Sequence, residues 1–284
     1  MTLVVLPPFW ARWWFRAGAL LLLASAAALA LRRRLSVVRL QAELKAAHDV
    51  QMAVMPNADP TVPGFDVSGA CTPASEVSGD FFDYFPLEDD GHPLGIVVDD
   101  VSGKAMRAAM NALLTSGMVS VQAESAASLA RAMTKVNRAL HRKALRHTFT
   151  ALCLAALDHG RRELTFVNAG LCPPLLRRDD AVAELDSTGP SLPLGALADT
   201  TYASRTVALQ SGDVVVLHTD GLPEAVDGSG RQYGYERLQR RLAALDPVRL
   251  SAAGIRDALL HDVARFAAGS SRHDDAAVVV VKAL

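Results

Sequence analysis

Apolar positions follow different rules in different parts of this chain. From Ala17 to Leu31 they run without a charge, AGALLLLASAAALAL. As a helix this run spans about 22 Å, against a bilayer hydrocarbon core of about 30 Å. Upstream, Phe9, Trp10, Trp13, Trp14 and Phe15 form an aromatic cluster of the kind that sits at a membrane interface, and Arg12 and Arg16 are placed to snorkel toward headgroups. Downstream, Arg32, Arg33 and Arg34 favour a cytoplasmic C-terminal side; Arg12 and Arg16 oppose that orientation. The pattern predicts one transmembrane helix within residues 1–34, held in the inner membrane in a single pass. Other accounts fit the same run. Ala28-Leu29-Ala30 resembles a signal-peptidase site, which would make it a cleaved leader, and a buried helix packed on the domain is also consistent.

Beyond the arginines the spacing becomes three and four: Val37, Leu40, Leu44, Ala47, Gln51 and Val54. That is a helical seam with one polar member, Gln51. It predicts a helical connector over residues 35–64, ended by Pro56, Pro60 and Pro63. It fits a dimerising stalk, and equally a helix packed on its own domain.

From Phe65 onward short apolar strands alternate with turns. Strands are expected at Phe65–Cys71, Asp80–Leu87, Leu94–Val101, Leu175–Arg178, Tyr202–Leu209, Val214–His218 and Asp275–Lys282, with a hairpin of Thr150–Asp158 and Glu163–Val167 about His159-Gly160. Helices are expected from after Gly103 to about Gln122, and at Ser125–Lys143, Tyr235–Ala244 and Ser251–Ala267. Hairpin-like neighbours and flanking helices give an α+β class for residues 65–284: mostly antiparallel sheets with helices outside.

Composition narrows the options. Half the residues are hydrophobic, which excludes global disorder, and the net charge of −1 argues against nucleic-acid binding. Cys71, Cys153 and Cys172 lie far apart without ligand spacing; they read as small core residues.

Candidate chemistry rests on aspartates at strand ends: Asp80 in VSGDFFD, Asp100 in VVDDVSGK, Asp220 in LHTDG, and Asp274-Asp275 opening the last strand. Carboxylates beside such apolar strands are costly unless paired or bound to a metal. Several hard oxygen ligands converging from different strands suit Mg²⁺ or Mn²⁺. Each aspartate alone is also ordinary turn chemistry. Asp89, Asp90, Asp179 and Asp180 read as solvated turn residues.

The stretch Glu76–Ala109, EVSGDFFDYFPLEDDGHPLGIVVDDVSGKAMRAA, resembles the opening motifs of the SpoIIE-like branch of the PPM (PP2C-type) phosphatases, also called the RsbU type. Asn168-Ala169-Gly170, the stretch LHTDGLPEA at 217–225 and DDAAV at 274–278 match the later motifs in order, and the connector stretch AAHDVQ to Met55-Pro56 and Pro63-Gly64-Phe65 is similar too. The resemblance implies the PPM αββα sandwich. It implies two Mn²⁺ or Mg²⁺ ions held by Asp80, Asp100, Asp220, Asp274 and the carbonyl of Val101, with Asp275 as the alternative to Asp274. It implies hydrolysis of phosphoserine or phosphothreonine by metal-activated water, on a phosphorylated STAS-like anti-anti-sigma regulator in a partner-switching pathway. A membrane-tethered module that binds such a regulator without hydrolysing it is the rival. The implied switch element starts at Ser102-Gly103.

The chain departs from the branch at Ser78 and Asp99, where glycines are usual, at Ala105 after Ser-Gly-Lys, and at Leu171 in place of a histidine. Ser102-Gly103-Lys104 lacks the spacing of a P-loop. His218 reads as a packed strand residue, and His273 as a candidate proton donor to a leaving group. No G-x-S-x-G elbow or Cys/His nucleophile pair is present.

Overall fold

The computed structural model describes Trp10 and residues 12–74, 77–87, 93–102, 106–124, 128–143, 149–270 and 274–284. The loop at Gly103, Lys104 and Ala105, the turn at Asp89 and Asp90, and Phe9, Glu76 and His273 lie outside the described residues. The chain divides into two compact units, Met1–Ala46 and Ala47–Leu284.

Helix α1 runs without a break from Trp13 to Val54. From Trp13 to Arg39 it is exposed on every face, with Leu22 at 74% and Leu29 at 61%. It is long and apolar enough to cross a membrane.

The second unit is built on two sheets. One takes β1 (Thr61–Val62), β2 (Phe65–Thr72), β7 (Leu175–Arg178), β8 (Ala181–Glu184), β10 (Val214–His218) and β11 (Ala276–Ala283) in the order β1-β2-β11-β10-β7-β8. The other takes β3 (Asp80–Pro86), β4 (Leu94–Val101), β5 (Thr150–Asp158), β6 (Glu163–Ala169) and β9 (Arg205–Ala208) in chain order. Every pairing among them is antiparallel. Their facing side chains, among them Val67, Phe82, Ile96, Val98, Phe166, Leu217 and Val279, form the central core. Helices α2 (Met106–Glu124) and α3 (Leu129–Lys143) cover the second sheet, and α4 (Tyr235–Ala243) and α5 (Ala252–Phe266) cover the first. Each buries one stripe, such as Ala132, Met133 and Val136 on α3 and Ile255 and Leu259 on α5. This is the expected αββα sandwich.

Differences from the sequence reading are local. Strand β9 is shorter than Tyr202–Leu209, because Tyr202 is buried in the preceding loop with its hydroxyl donating to the Leu192 carbonyl at 2.8 Å. Helix α3 starts later than Ser125; Ser128 caps it, its Oγ accepting from Arg131 N at 3.3 Å. The polar turn at Asp179 and Asp180 leads into β8, a strand that alternation could not flag because it has no fully buried position.

The polar seam residue finds its partner inside the second unit. Gln51 is fully buried; its Nε2 donates to the Ser78 carbonyl at 2.8 Å and its Oε1 accepts from Ser78 N at 3.1 Å. The end of α1, from Ala47 on, is thus held on its own domain. Gln51→Met keeps the volume but leaves both Ser78 backbone groups without these bonds. It is expected to cost about 2 kcal/mol, read as a lower urea midpoint at unchanged slope.

Candidate metal centre

The second sheet brings the first two aspartates together by register. In the β3–β4 ladder Asp80 stands directly opposite Asp100. Like charges in that position repel. Asp80 is only 3% exposed, and its Oδ2 has no hydrogen-bond partner among the described residues.

The first sheet brings the others. Strands β10 and β11 are neighbours, and past their ladder Thr219 N donates to the Ala277 carbonyl at 3.0 Å while Ala277 N donates to Thr219 Oγ1 at 2.9 Å. Asp220 then leaves β10 just where Asp274 and Asp275 enter β11. The turn after Asp220 is tight: Glu224 N donates to the Asp220 carbonyl at 2.8 Å. Gly221 packs against backbone, where a Cβ would stand 1.8 Å from the Asp275 carbonyl oxygen. No larger residue fits there.

Asp275 joins the two sheets. Its Oδ1 accepts from Ala74 N at 2.7 Å and its Oδ2 from Gly79 N at 2.6 Å. Both amides belong to the loop that delivers Asp80. Asp274 instead accepts only from Asp275 N, at 3.0 Å among the described residues, and its side of the pair is exposed. Ser78, one of the departures, holds the same loop: its Oγ accepts from Asp80 N at 3.0 Å, a bond glycine could not supply. The Val101 carbonyl oxygen faces Gly79 so closely that a Cβ there would be 3.0 Å away.

Electrostatics register the crowding. Burial, then the charge of Asp100, pushes the Asp80 carboxyl well above the usual carboxylate range. Asp100 is pushed up to about 7 by burial and by Asp220, Asp274 and Asp275. Asp220 is raised by burial, Glu224 and Asp274. Among the described residues, no three acidic, histidine or cysteine side chains are gathered closely enough to hold an ion. The donor set itself, hard oxygens with an orphaned buried carboxylate oxygen, fits a hard dication.

Other candidates fall outside this cluster. His218 is fully buried; its Nδ1 donates to the Thr219 carbonyl at 2.9 Å and burial lowers its basicity. Leu171 turns inward to the central core. Asp99 is fully buried facing away from the cluster, and burial, with Asp80 next, raises its carboxyl strongly. Cys172, by contrast, lies near the centre. Its Sγ is 3.2 Å from the Tyr235 hydroxyl, and burial pushes the thiol up to about 11. The sequence reading took Cys172 for a small core residue, whereas it is half-buried, and it gave Glu224, inside the LHTDGLPEA stretch, no role of its own.

Residues 90–284, more than half of the chain, match the sequence profile of the family described as Stage II sporulation protein E (SpoIIE). The chain belongs to the SpoIIE family. The family match contains Asp100, Val101, Asp220 and Asp274; Asp80 lies before it and is tied in through the β3–β4 register. The phosphoserine phosphatase RsbP of Bacillus subtilis is 30% identical over 52% of this chain and 37% of its own length. The chain spans 41% and 56% of two further curated relatives. Among solved structures, the SiaA-PP2C domain of Pseudomonas aeruginosa superposes with a TM-score of 0.75 at 23% identity, covering 87% of this chain and 97% of that one. The RsbU and RsbW domains of Rv1364c from Mycobacterium tuberculosis give 0.65 at 27% identity, over 78% and 62%. The fold is therefore that of PP2C.

Raised carboxyls favour the protonated site in the folded state. The metal-free fold therefore loses stability as pH rises from about 4, where these carboxyls ionise in the unfolded chain, through about 7, where Asp100 ionises in the fold. Melting of the metal-free chain is expected to fall between about pH 5.5 and 8, and Asp100→Asn to recover about 2–4 °C at the upper end. An unchanged melting temperature in that variant would count against crowding. Gly221→Ala is expected to cost at least about 2 kcal/mol at any pH, by pushing Asp275 off its carbonyl contact.

Proposed function

We propose that this protein is a metal-dependent protein serine/threonine phosphatase, anchored in the cytoplasmic membrane with its catalytic domain in the cytoplasm. The carrying observation is the convergence of Asp80, Asp100 and the Asp220 and Asp274 turns at one end of both sheets, with raised carboxyls that a dication would settle. Asp80, Asp100, Asp220, Asp274 and the Val101 carbonyl would hold two Mn²⁺ or Mg²⁺ ions. Bound there, such ions clamp a phosphate and lower the pKa of a water.

The chain's own residues do the rest. Asp275 is occupied by two amides, whereas Asp274 accepts one bond among the described residues, from Asp275 N, which supports Asp274 as the ligand of that pair. Asp275 and Ser78 fix the approach of Asp80. His218 is sealed in the core and is not placed to move protons at the substrate. The relative named as a phosphoserine phosphatase supports the bond class. The substrate in this reading is a phosphorylated STAS-like anti-anti-sigma regulator. The exposed apolar part of α1 and Arg32–Arg34 support the anchor and its orientation. A homodimer through the connector would use α1 upstream of Gln51, since Gln51 is engaged with Ser78.

The test is phosphate release from a phosphoserine protein by the full chain in detergent with Mn²⁺, beside calorimetric Mn²⁺ binding. Asp100→Ala and Asp220→Ala are expected to lose about a hundredfold or more in rate, from several kcal/mol of lost charge stabilisation, and to weaken Mn²⁺ binding. Release unaltered in both variants, or none by the wild type, would favour the non-catalytic binding module.

A further inference from the structure

A cavity of about 460 Å³ opens beside the proposed metal centre. One wall carries Asp274 and Gly221, the residue after Asp220. The opposite wall is α5, and a third is Pro73 and Ala74 at the end of β2. We infer that this cleft is a subsite for an apolar segment of the phosphoprotein substrate, close in sequence to the phosphorylated residue; the inference rests on the phosphatase reading.

The chemistry of α5 carries it. The helix buries Ile255 and Leu259 against the first sheet. Leu260, Ala264 and Ala267 then follow the spacing of a second apolar stripe, and with the core residue Val263 they line the cleft. Ala264 is exposed, at a place where a surface helix ordinarily carries a polar residue. The small side chains of Ala264 and Ala267, with Ala225 across from them, keep the space open instead of filling it. Polar groups stand only around the apolar floor: Asp257 and His261 on α5, Thr72, and Asp274 toward the centre. The volume lies in the range of ligand sites, about 300–1,000 Å³, and exceeds one side chain.

Position selects the occupant. Asp274 belongs to both the cleft and the proposed ligand set, so a chain whose phosphate sits at the centre has the cleft beside it for its neighbouring residues. Successive Cα atoms are about 3.8 Å apart, which places the segment within about three residues of the phosphorylated one. The two sites are also held in register: Ala74, in the cleft wall, donates its N–H to Asp275, which fixes the Asp80 loop with its other oxygen.

The experiment uses the full chain in detergent with Mn²⁺. Phosphoserine peptides carry Gly, Leu, Phe or Glu at each of the three positions on either side. On one side Leu and Phe are expected to raise kcat/KM over Gly by at least about tenfold, through KM, as one or more methylenes in an apolar pocket do. Ala264→Trp, and the milder Ala264→Leu, are expected to bring the Leu-to-Gly ratio to near one. Anisotropy of labelled Leu- and Gly-flanked peptides reads the same preference as binding, without turnover. Equal kcat/KM and binding for all flanks overturns the inference, as does a Leu preference that survives both Ala264 variants. So does a flank-independent enzyme that Ala264→Trp converts from dimer to monomer, which would give the cleft to a second copy. If neither the peptides nor p-nitrophenyl phosphate is hydrolysed, the phosphatase reading falls, and the anisotropy comparison alone decides the cleft.

Discussion

The structure depends on one carboxylate that spends both of its oxygens on backbone. Asp275 opens the last strand of one sheet and accepts amide hydrogens from Ala74 and Gly79, about 200 residues earlier, on the way into the other sheet. Charge-assisted bonds of this kind are among the stronger ones a protein makes. The clamp works against a cost. The loop it pins delivers Asp80 to a place opposite Asp100 and near Asp220, where every added negative charge is disfavoured. Two sandwiched sheets could slide or splay at this end to relieve the repulsion. The bonds of Asp275 to Ala74 and Gly79 oppose that movement, while the Thr219–Ala277 bonds and the contact of Gly221 with backbone hold the β10 and β11 ends together. The fold thus holds a charge conflict in place, and that conflict is the chemical content of the site.

Much of this was legible in sequence, and the reason is physical. Strands β4, β7 and β10 fall at the expected bounds because their apolar runs are flanked by turn residues. The α+β class followed from hairpins and amphipathic helices, and the αββα layering from the resemblance to the family. What stayed hidden was pairing at a distance. Nothing local distinguishes Asp274 from Asp275; the difference lies in amides at Ala74 and Gly79 that sequence spacing does not reveal. Gln51 was visible as the polar member of an apolar seam, yet its partner Ser78 is 27 residues on, so the seam alone left its role open between stalk and domain.

Two of the departures from the SpoIIE-like pattern make sense once placed in space. Ser78 gains a bond to Asp80 N, so the substitution adds restraint to the metal loop. Leu171 is core packing, held by a reciprocal pair in which Asn168 Oδ1 accepts from Leu171 N at 2.8 Å and Asn168 Nδ2 donates to the Leu171 carbonyl at 2.9 Å. A side chain turned inward there takes no part at the site, whereas neighbouring Cys172 is close enough to Asp220 to feel its charge. Asp99 has no such account. It is a buried carboxyl with neither oxygen hydrogen-bonded among the described residues.

Restraint on the Asp80 loop comes from three directions, and their sources differ in kind. Asp275 reaches it from the opposite sheet, Ser78 from within the loop, and Gln51 from the end of α1. The first two are fixed by the sandwich itself. The third belongs to the segment where the domain begins, and it grips Ser78 by both backbone groups. Tilting the Ser78 peptide would disturb the Ser78 Oγ bond to Asp80 N, so the position of Asp80 and the seating of α1 are one mechanical fact. A carboxylate placed by so many partners would need little further ordering in the proposed metal site.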